Sequence, residues 1–179
     1  TLGHEVAGVV EEKGSTAKGV EIGQRVALHY LVTCGKCAMC RMGREQFCSE
    51  VKMIGKDIPG GYAEYIAVPA RNAVSLADGV SFEHGAIMMC SASTSFHALR
   101  KGRLEPGESV AVFGVGGLGM SAIQLARAMG ALDVYAVDIN EERLAMAERF
   151  GAIPVDASEV DPVEEIGRLT GSRSGLLPS

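Results

Sequence analysis

The feature that most constrains the fold of this chain is a glycine-rich turn set between a short apolar run and a long one. Ser109–Phe113 reads as a buried strand, Gly114–Gly119 as a turn, and Leu118–Met129 as an apolar helix that stops at Gly130. A second apolar run, Val134–Val137, ends at Asp138. A charged amphipathic stretch, Glu141–Phe150, follows and is stopped by Gly151, and Ile153–Val155 reads as a third strand. Strand, helix, strand and helix in this order dictate a parallel α/β sheet.

The turn itself is Gly114-Val115-Gly116-Gly117-Leu118-Gly119, which fits G-x-G-x-x-G. That pattern alone is weak. It gains weight from following a strand, opening a helix and preceding an acidic residue, Asp138, 19 positions after Gly119. Each glycine has a separate expected task. Gly114 permits the turn, Gly116 lets backbone approach a pyrophosphate, and Gly119 lets helix and strand pack closely. The helix N-terminus would stabilise phosphate through its unpaired N–H groups. Asp138 would accept from the adenosine ribose hydroxyls and repel a 2′-phosphate, which predicts NAD over NADP. The competing reading is a glycine turn that binds another nucleotide or none. Met120, Ile123, Leu125 and Met129 read as packing residues.

The first half of the chain has a different texture. Val6–Val10, Arg25–Leu28, Tyr62–Val68 and Ala73–Leu76 read as short strands, separated by Gly and Pro turns. Ser81 reads as the N-cap of a helix through Met89, and Thr94–Lys101 as a second helix. Thr33–Ser49 has no period at all, so something other than an apolar core must hold it together.

That stretch holds four of the five cysteines, Cys34, Cys37, Cys40 and Cys48, spaced C-x2-C-x2-C-x7-C. Four thiolates can close a tetrahedral shell around zinc, and a closed shell is structural rather than catalytic. Tight turns would aim backbone N–H groups at the sulfurs. Lys36, Arg41 and Arg44 stand close enough in sequence to offset part of the negative charge. Two other readings compete. The cysteines could be free or disulfide-bonded, or they could hold an iron–sulfur cluster, whose motif the first three match. Against the cluster, the fourth cysteine is distant and is followed by Ser49 rather than Pro.

Composition narrows the classes further. At 47% hydrophobic residues, the 179-residue chain can bury a core. A net charge of −5 without a Lys/Arg cluster argues against nucleic acid and anionic membrane as partners. The chain has no apolar run long enough to span a bilayer and no signal-like opening segment. With cysteines crowded as metal ligands, the expected compartment is reducing, the cytoplasm. His29, His84 and His97 have no motif and read as surface or core residues. The charged run Glu141–Arg149 reads as a solvated helix face.

Taken in order, four motifs resemble the zinc-containing medium-chain alcohol dehydrogenases. Gly3-His4-Glu5-x2-Gly8-x5-Gly14 is similar to that family's signature, and the four-cysteine lobe follows at the expected place. Gly60-Gly61-Tyr62-Ala63-Glu64-Tyr65 resembles a recurring segment, and Cys90-x3-Thr94 resembles the segment that carries a catalytic-zinc ligand. The match runs from Thr1 to about Thr170.

The resemblance implies a mixed α/β architecture. A partial GroES-like, β-rich catalytic domain spans residues 1–93, with its zinc lobe at 34–48. A truncated Rossmann domain, a doubly wound parallel sheet, spans residues 94–170, and 171–179 forms a tail of uncertain origin. His4 and Cys90 are implied as catalytic-zinc ligands, Glu5 as a carboxylate near that metal, and Thr94 as a neighbour of the nicotinamide. Cys34, Cys37, Cys40 and Cys48 are implied as the structural-zinc ligands. Gly114, Val115, Gly116, Gly117, Leu118, Gly119 and Asp138 would hold NAD.

The implied activity is zinc-dependent hydride transfer between an alcohol and NAD to give an aldehyde or ketone, in a parent enzyme that is a homo-oligomer, dimer or tetramer. Polyol and sugar dehydrogenases of the same family are the runner-up. There a Glu often replaces the second cysteine ligand, so Cys90 leans toward the alcohol type. Two departures stand out. Ala17 replaces a usual Val, and the family's first catalytic-zinc ligand and proton-relay residues have no counterpart here. The isolated chain is therefore expected to be marginally folded and catalytically weak or inactive, a zinc- and nucleotide-binding fragment.

Overall fold

A computed structural model describes residues 1–171; the stretch read as a tail lies outside them except for Gly171. The chain divides into two compact units, with the division between Cys90 and Ser91. Among the described residues, no helix is long and apolar enough to cross a membrane.

In the first unit, β1 (Val6–Val9), β2 (Arg25–Leu28) and β5 (Ala73–Ser75) form an antiparallel sheet in the order β1-β2-β5. Val26, Ala27 and Leu28 of β2 are buried, as expected of a central strand. Two shorter strands, β3 (Leu31–Val32) and β4 (Lys52–Met53), pair at the base of the cysteine lobe. Within the lobe lie one turn of helix, α1 (Ala38–Arg41), and a 3₁₀ turn over Glu45–Phe47. A second helix, α2 (Phe82–Ile87), is capped by Ser81, whose Oγ accepts from the His84 N–H at 3.3 Å. It packs against β1 and β2.

One expected strand is missing. Tyr62–Val68 alternates apolar and polar residues, yet the chain there is bent and unpaired rather than laddered. Alternation permits an extended backbone, but a strand also needs a partner, and none of the described segments supplies one. The segment instead walls a groove of about 880 Å³ with β1 and β2, lined by Val6, Val26, Leu28 and Ile66 together with Lys13 and Glu64.

The second unit holds the predicted parallel sheet. Strands β6 (Val110–Phe113), β7 (Val134–Asp138) and β8 (Ile153–Asp156) pair in the order β6-β7-β8, all parallel. Helices α3 (Ser93–Lys101), α4 (Gly117–Ala128), α5 (Glu141–Arg149) and α6 (Pro162–Leu169) accompany them. Strand β7 is central, and successive side chains enter opposite cores. Val134 and Ala136 pack with Ile123 and Ala126 of α4 and with Leu144 and Ala147 of α5. Tyr135 and Val137 pack with Val155 and, from α6, Ile166. Helices thus cover both faces, as a doubly wound sheet requires. Ile123 is fully buried, and Met120, Leu125 and Met129 pack around it, in line with their expected role.

Helix α6 was not anticipated. Its signal was nevertheless in the sequence: Asp161 followed by Pro162. Asp161 Oδ1 accepts from the N–H groups of Val163 (2.8 Å) and Glu164 (3.0 Å), and Pro162 occupies the first helical turn, where its missing N–H is harmless.

Candidate functional site: a thiol cage and a glycine turn

The irregular lobe brings all four cysteine sulfurs within 4.8 Å of one another. Among the described residues, no other group of three or more His, Cys, Asp or Glu side chains gathers in this way. Individual Sγ separations are 3.5 Å for Cys37–Cys40 and 4.0 Å for Cys34–Cys40. A tetrahedral shell with zinc–sulfur bonds of about 2.3 Å sets its sulfurs about 3.8 Å apart, so the donor set fits the ion. The expected N–H groups are in place. Cys37 N–H donates to Cys34 Sγ (3.3 Å), while Cys34 and Glu50 N–H both donate to Cys48 Sγ (3.4 Å each).

The thiols differ in acidity. The backbone N–H of Cys40, helped by the Cys40 thiol, lowers Cys37 to about 6. Burial, with the ionised Cys37 beside it, pushes Cys40 up to about 11. Cys48 is lowered by the backbone N–H of Cys34. Sulfurs this close resist joint ionisation, and a dication is what allows all four to become thiolates. None of the four is in a disulfide.

A fourth cation, from outside the lobe, joins the three near the cage. Lys36, Arg41 and Arg44 are exposed and pair with no carboxylate among the described residues. A residue outside the lobe, Arg71, lays its guanidinium directly on Gly35. Local spacing gives no hint of this contact, which depends on how the 3₁₀ turn Ala70–Asn72 docks.

His4 and Cys90 flank a single packing contact. His4 immediately precedes β1 by two positions, Cys90 follows α2 within a π-helical turn over Met88–Ala92, and α2 packs on β1. Both side chains are half-buried, and the His4 ring lies 5.5 Å from that of Tyr30 in a tilted arrangement. Tyr30 stacks in turn on His29, whose Nδ1 lies 3.2 Å from the Leu31 carbonyl oxygen. Glu5 is exposed beside His4. His84 is held locally, its Nδ1 3.3 Å from Ser81 Oγ.

In the second unit the glycine turn has a distinct backbone geometry at each of its three motif glycines. Gly114 has φ +81°, a conformation that favours glycine. A Cβ on Gly119 would overlap the Gly114 carbonyl oxygen, with Val112 at ordinary contact distance. A Cβ on Gly116 would meet nothing within 4 Å, so the backbone there faces open space. Gly117 opens α4 with Leu118 exposed beside it, and no side chain caps that helix end. Ser91 and Ser95 bind the same region from behind: Ser95 Oγ donates to the Leu118 carbonyl at 2.8 Å, and Ser91 Oγ lies 3.2 Å from Ser121 Oγ. Thr94 is exposed in the first turn of α3.

Asp138 closes the arrangement at the end of β7. Its Oδ2 accepts from the Val115 N–H at 2.8 Å, and its Oδ1 from Ile139 (2.9 Å) and Asn140 (3.0 Å). The Val115 N–H leads the causes that hold this carboxyl below its ordinary value.

Two family models match the chain: the alcohol dehydrogenase GroES-like domain over residues 1–78 and the zinc-binding dehydrogenase domain over residues 117–175. An NAD-dependent alcohol dehydrogenase from Sulfurisphaera tokodaii is 40% identical over 172 residues, which is 95% of this chain and 50% of that protein. Among solved structures, an alcohol dehydrogenase from Thermus sp. ATN1 superposes with a TM-score of 0.91 at 33% identity, over 95% of this chain and 51% of its own. Galactitol-1-phosphate dehydrogenase from Escherichia coli gives 0.89 at 34% identity, over 97% and 50%. The chain spans about half the length of the curated relatives it matches.

Proposed function

The chain belongs to the zinc-containing medium-chain alcohol dehydrogenases, of which it spans about half, and from that premise we propose that it serves an NAD-dependent interconversion of an alcohol and its aldehyde or ketone. Residues 1–93 form the end of the GroES-like catalytic domain, and residues 94–170 the first part of the Rossmann domain. Bound, zinc supplies an electrophile for the substrate oxygen and NAD supplies the hydride acceptor.

The observation that carries this reading is the hydrogen bond from the Val115 N–H to Asp138. It couples the glycine turn to the acidic strand end, the two parts a dinucleotide site needs. The uncapped N–H groups of α4 receive the pyrophosphate, Gly116 admits it, and Asp138 accepts from the ribose hydroxyls. The negative charge of Asp138 disfavours a 2′-phosphate, so NAD is preferred over NADP. Thr94 borders the nicotinamide end.

Cys34, Cys37, Cys40 and Cys48 hold a structural zinc that crosslinks a lobe with almost no apolar core of its own. His4 and Cys90 are two ligands of the catalytic zinc, with Glu5 as a nearby carboxylate. A reducing compartment, the cytoplasm, suits a cage of thiols. The partner is a small alcohol or carbonyl compound, neither nucleic acid nor membrane, and the parent enzyme is a dimer or tetramer.

A polyol or sugar alcohol is the second reading, favoured by the likeness to galactitol-1-phosphate dehydrogenase. The test has two parts. Calorimetric titration of the 179-residue chain should show NAD binding and much weaker NADP binding; absence of NAD binding overturns the dinucleotide site. A panel of simple alcohols, polyols and polyol phosphates, assayed on an enzyme that contains this chain, then decides the substrate. Turnover of none of them overturns the dehydrogenase assignment.

A further inference from the structure

We propose that Arg71 is a positioning residue for the metal cage: its guanidinium, seated on Gly35 from outside the lobe, offsets the surplus negative charge of the loaded thiolates. The inference rests on the zinc reading of the four cysteines given above. It adds a residue that lies outside the ligand motif.

Three observations converge on Arg71. The first is its seat. Gly35, the residue after Cys34, has φ +69°, and a Cβ there would collide with Arg71 Nη1. The guanidinium thus occupies the space a side chain at position 35 would need. It lies against the backbone of the turn that carries Cys34 and Cys37.

The second is how firmly that seat is held. Arg71 lies on the 3₁₀ turn Ala70–Asn72, and Asn72 beside it is buried. Asn72 Nδ2 donates to the carbonyl oxygens of His29 (2.7 Å) and Leu31 (2.8 Å). The Asn72 carbonyl accepts from the His29 N–H at 2.8 Å, and its own N–H donates to the Pro69 carbonyl at 2.8 Å. These bonds tie the turn to the strand that leads into the lobe, so the base of the Arg71 side chain is fixed relative to the cage.

The third is charge. Four thiolates around a dication leave a surplus of about −2, which favours loss of a ligand or of the ion unless positive charge stands near. Among the described residues no carboxylate pairs with Arg71, so its charge is not neutralised elsewhere. Arg71 is exposed, as are Lys36, Arg41 and Arg44 of the lobe; what sets it apart is its seat on Gly35.

The test is the rate at which the full 179-residue chain, loaded with zinc, gives up the ion to a chromophoric chelator across a range of salt. Arg71→Gln keeps most of the side-chain length and removes the charge; Arg71→Lys keeps the charge; Arg71→Glu reverses it. Release at low salt should be about 3- to 10-fold faster for Arg71→Gln than for the parent, faster again for Arg71→Glu, and close to the parent for Arg71→Lys. The spread should narrow as salt rises. Equal rates for parent and Arg71→Gln at low salt overturn the proposal. So do equally fast, salt-independent rates for Arg71→Gln and Arg71→Lys, which would mean the guanidinium acts by packing. A parent chain that takes up no zinc on its four cysteines overturns the metal reading itself, and this inference with it.

Discussion

The Asp138 carboxylate accepts a hydrogen bond from the backbone N–H of Val115 at 2.8 Å, which joins the end of β7 to the turn between β6 and α4. One residue therefore both shapes the glycine turn and presents negative charge to whatever the turn binds. Its second oxygen is held by Ile139 and Asn140, so the carboxylate has a fixed direction before any ligand arrives. Asp138→Asn keeps an acceptor for Val115 but removes the charge; Asp138→Ala removes both. Asn should narrow the preference for NAD over NADP, measured as the ratio of dissociation constants. Ala should in addition speed hydrogen exchange at Val115, by roughly tenfold given a charge-assisted bond. An unchanged cofactor ratio in both variants would remove Asp138 as the discriminator.

The same bond makes a pH prediction. Asp138 and Asp156 both have carboxyls held below the ordinary aspartate value of 3.8, Asp138 chiefly by the Val115 N–H and Asp156 chiefly by the Ser158 hydroxyl. A depressed folded-state value means the folded form binds protons less readily than the unfolded chain. The stabilisation is therefore complete above the ordinary value and fades as pH falls through the lowered ones. Denaturant midpoints of the second unit should be flat from neutrality to about pH 5 and should fall below about pH 4. Asp138→Asn should flatten that acid limb; an acid limb of unchanged steepness would count against the assignment.

The two glycines at either side of the turn separate folding from binding. Gly119→Ala sets a Cβ against the Gly114 carbonyl oxygen, a backbone atom that cannot move aside cheaply. Overpacking of this kind destabilises by about 1–3 kcal/mol or more, enough to lower the melting temperature of the unit by several degrees. Gly116→Ala sets its Cβ in open space, at φ −71°, which alanine tolerates. It should leave the melting temperature within a degree or two and still weaken NAD binding severely, because the methyl fills the approach of the pyrophosphate. Calorimetry on both variants reads both effects. If Gly116→Ala binds NAD as the parent does, the turn is not the phosphate site.

The conformation of Gly114 and the close approach at Gly119 were legible in the sequence because both depend on local backbone. So were β7, apolar up to its terminal Asp138, and the cap of α2 by Ser81. What was misread depended on partners. Tyr62–Val68 has the alternation of a strand, but pairing is a property of two segments, and periodicity in one says nothing of the other. The closeness of Arg71 to Gly35 follows from the docking of Asn72 on His29 and Leu31, a contact between residues remote in sequence. The thiol cage lies between these cases. Spacing singled out the four cysteines and the turns that aim N–H groups at their sulfurs, while their gathering within 4.8 Å needed the fold.

Removal of metal should act on the lobe first. Residues 33–49 contribute one residue, Cys48, to the buried apolar set, so the cage supplies the crosslink that packing does not. Chelation of the zinc-loaded chain should make four thiols reactive to a thiol reagent together and raise amide exchange across 34–48, with little change in the melting of the β6-β7-β8 unit. Cys37→Ser should lower zinc content by one per chain. An unaltered zinc content in that variant would sink the structural-zinc assignment.

Helix α6 offers the last test, because its existence rests on few contacts. It covers one face of β8 mainly through Ile166, and none of its residues is fully buried. Such a short helix, standing alone, is marginal in water, so its ends matter in proportion. Asp161 satisfies two N–H groups at the N-terminus, and Arg168 and Glu165 pair at 2.6 Å near the other end. Loss of a cap of this type costs about 1 kcal/mol, whereas an exposed pair of that kind contributes a few tenths of a kcal/mol. Asp161→Ala should therefore loosen α6, seen as faster exchange at Ile166 and Arg168, about three times more than Arg168→Ala does. The Val155 core beneath should lose protection with it, since Ile166 is part of the cover over Tyr135, Val137 and Val155. Equal effects from the two substitutions would mean that packing on β8, rather than the cap, holds the helix in place.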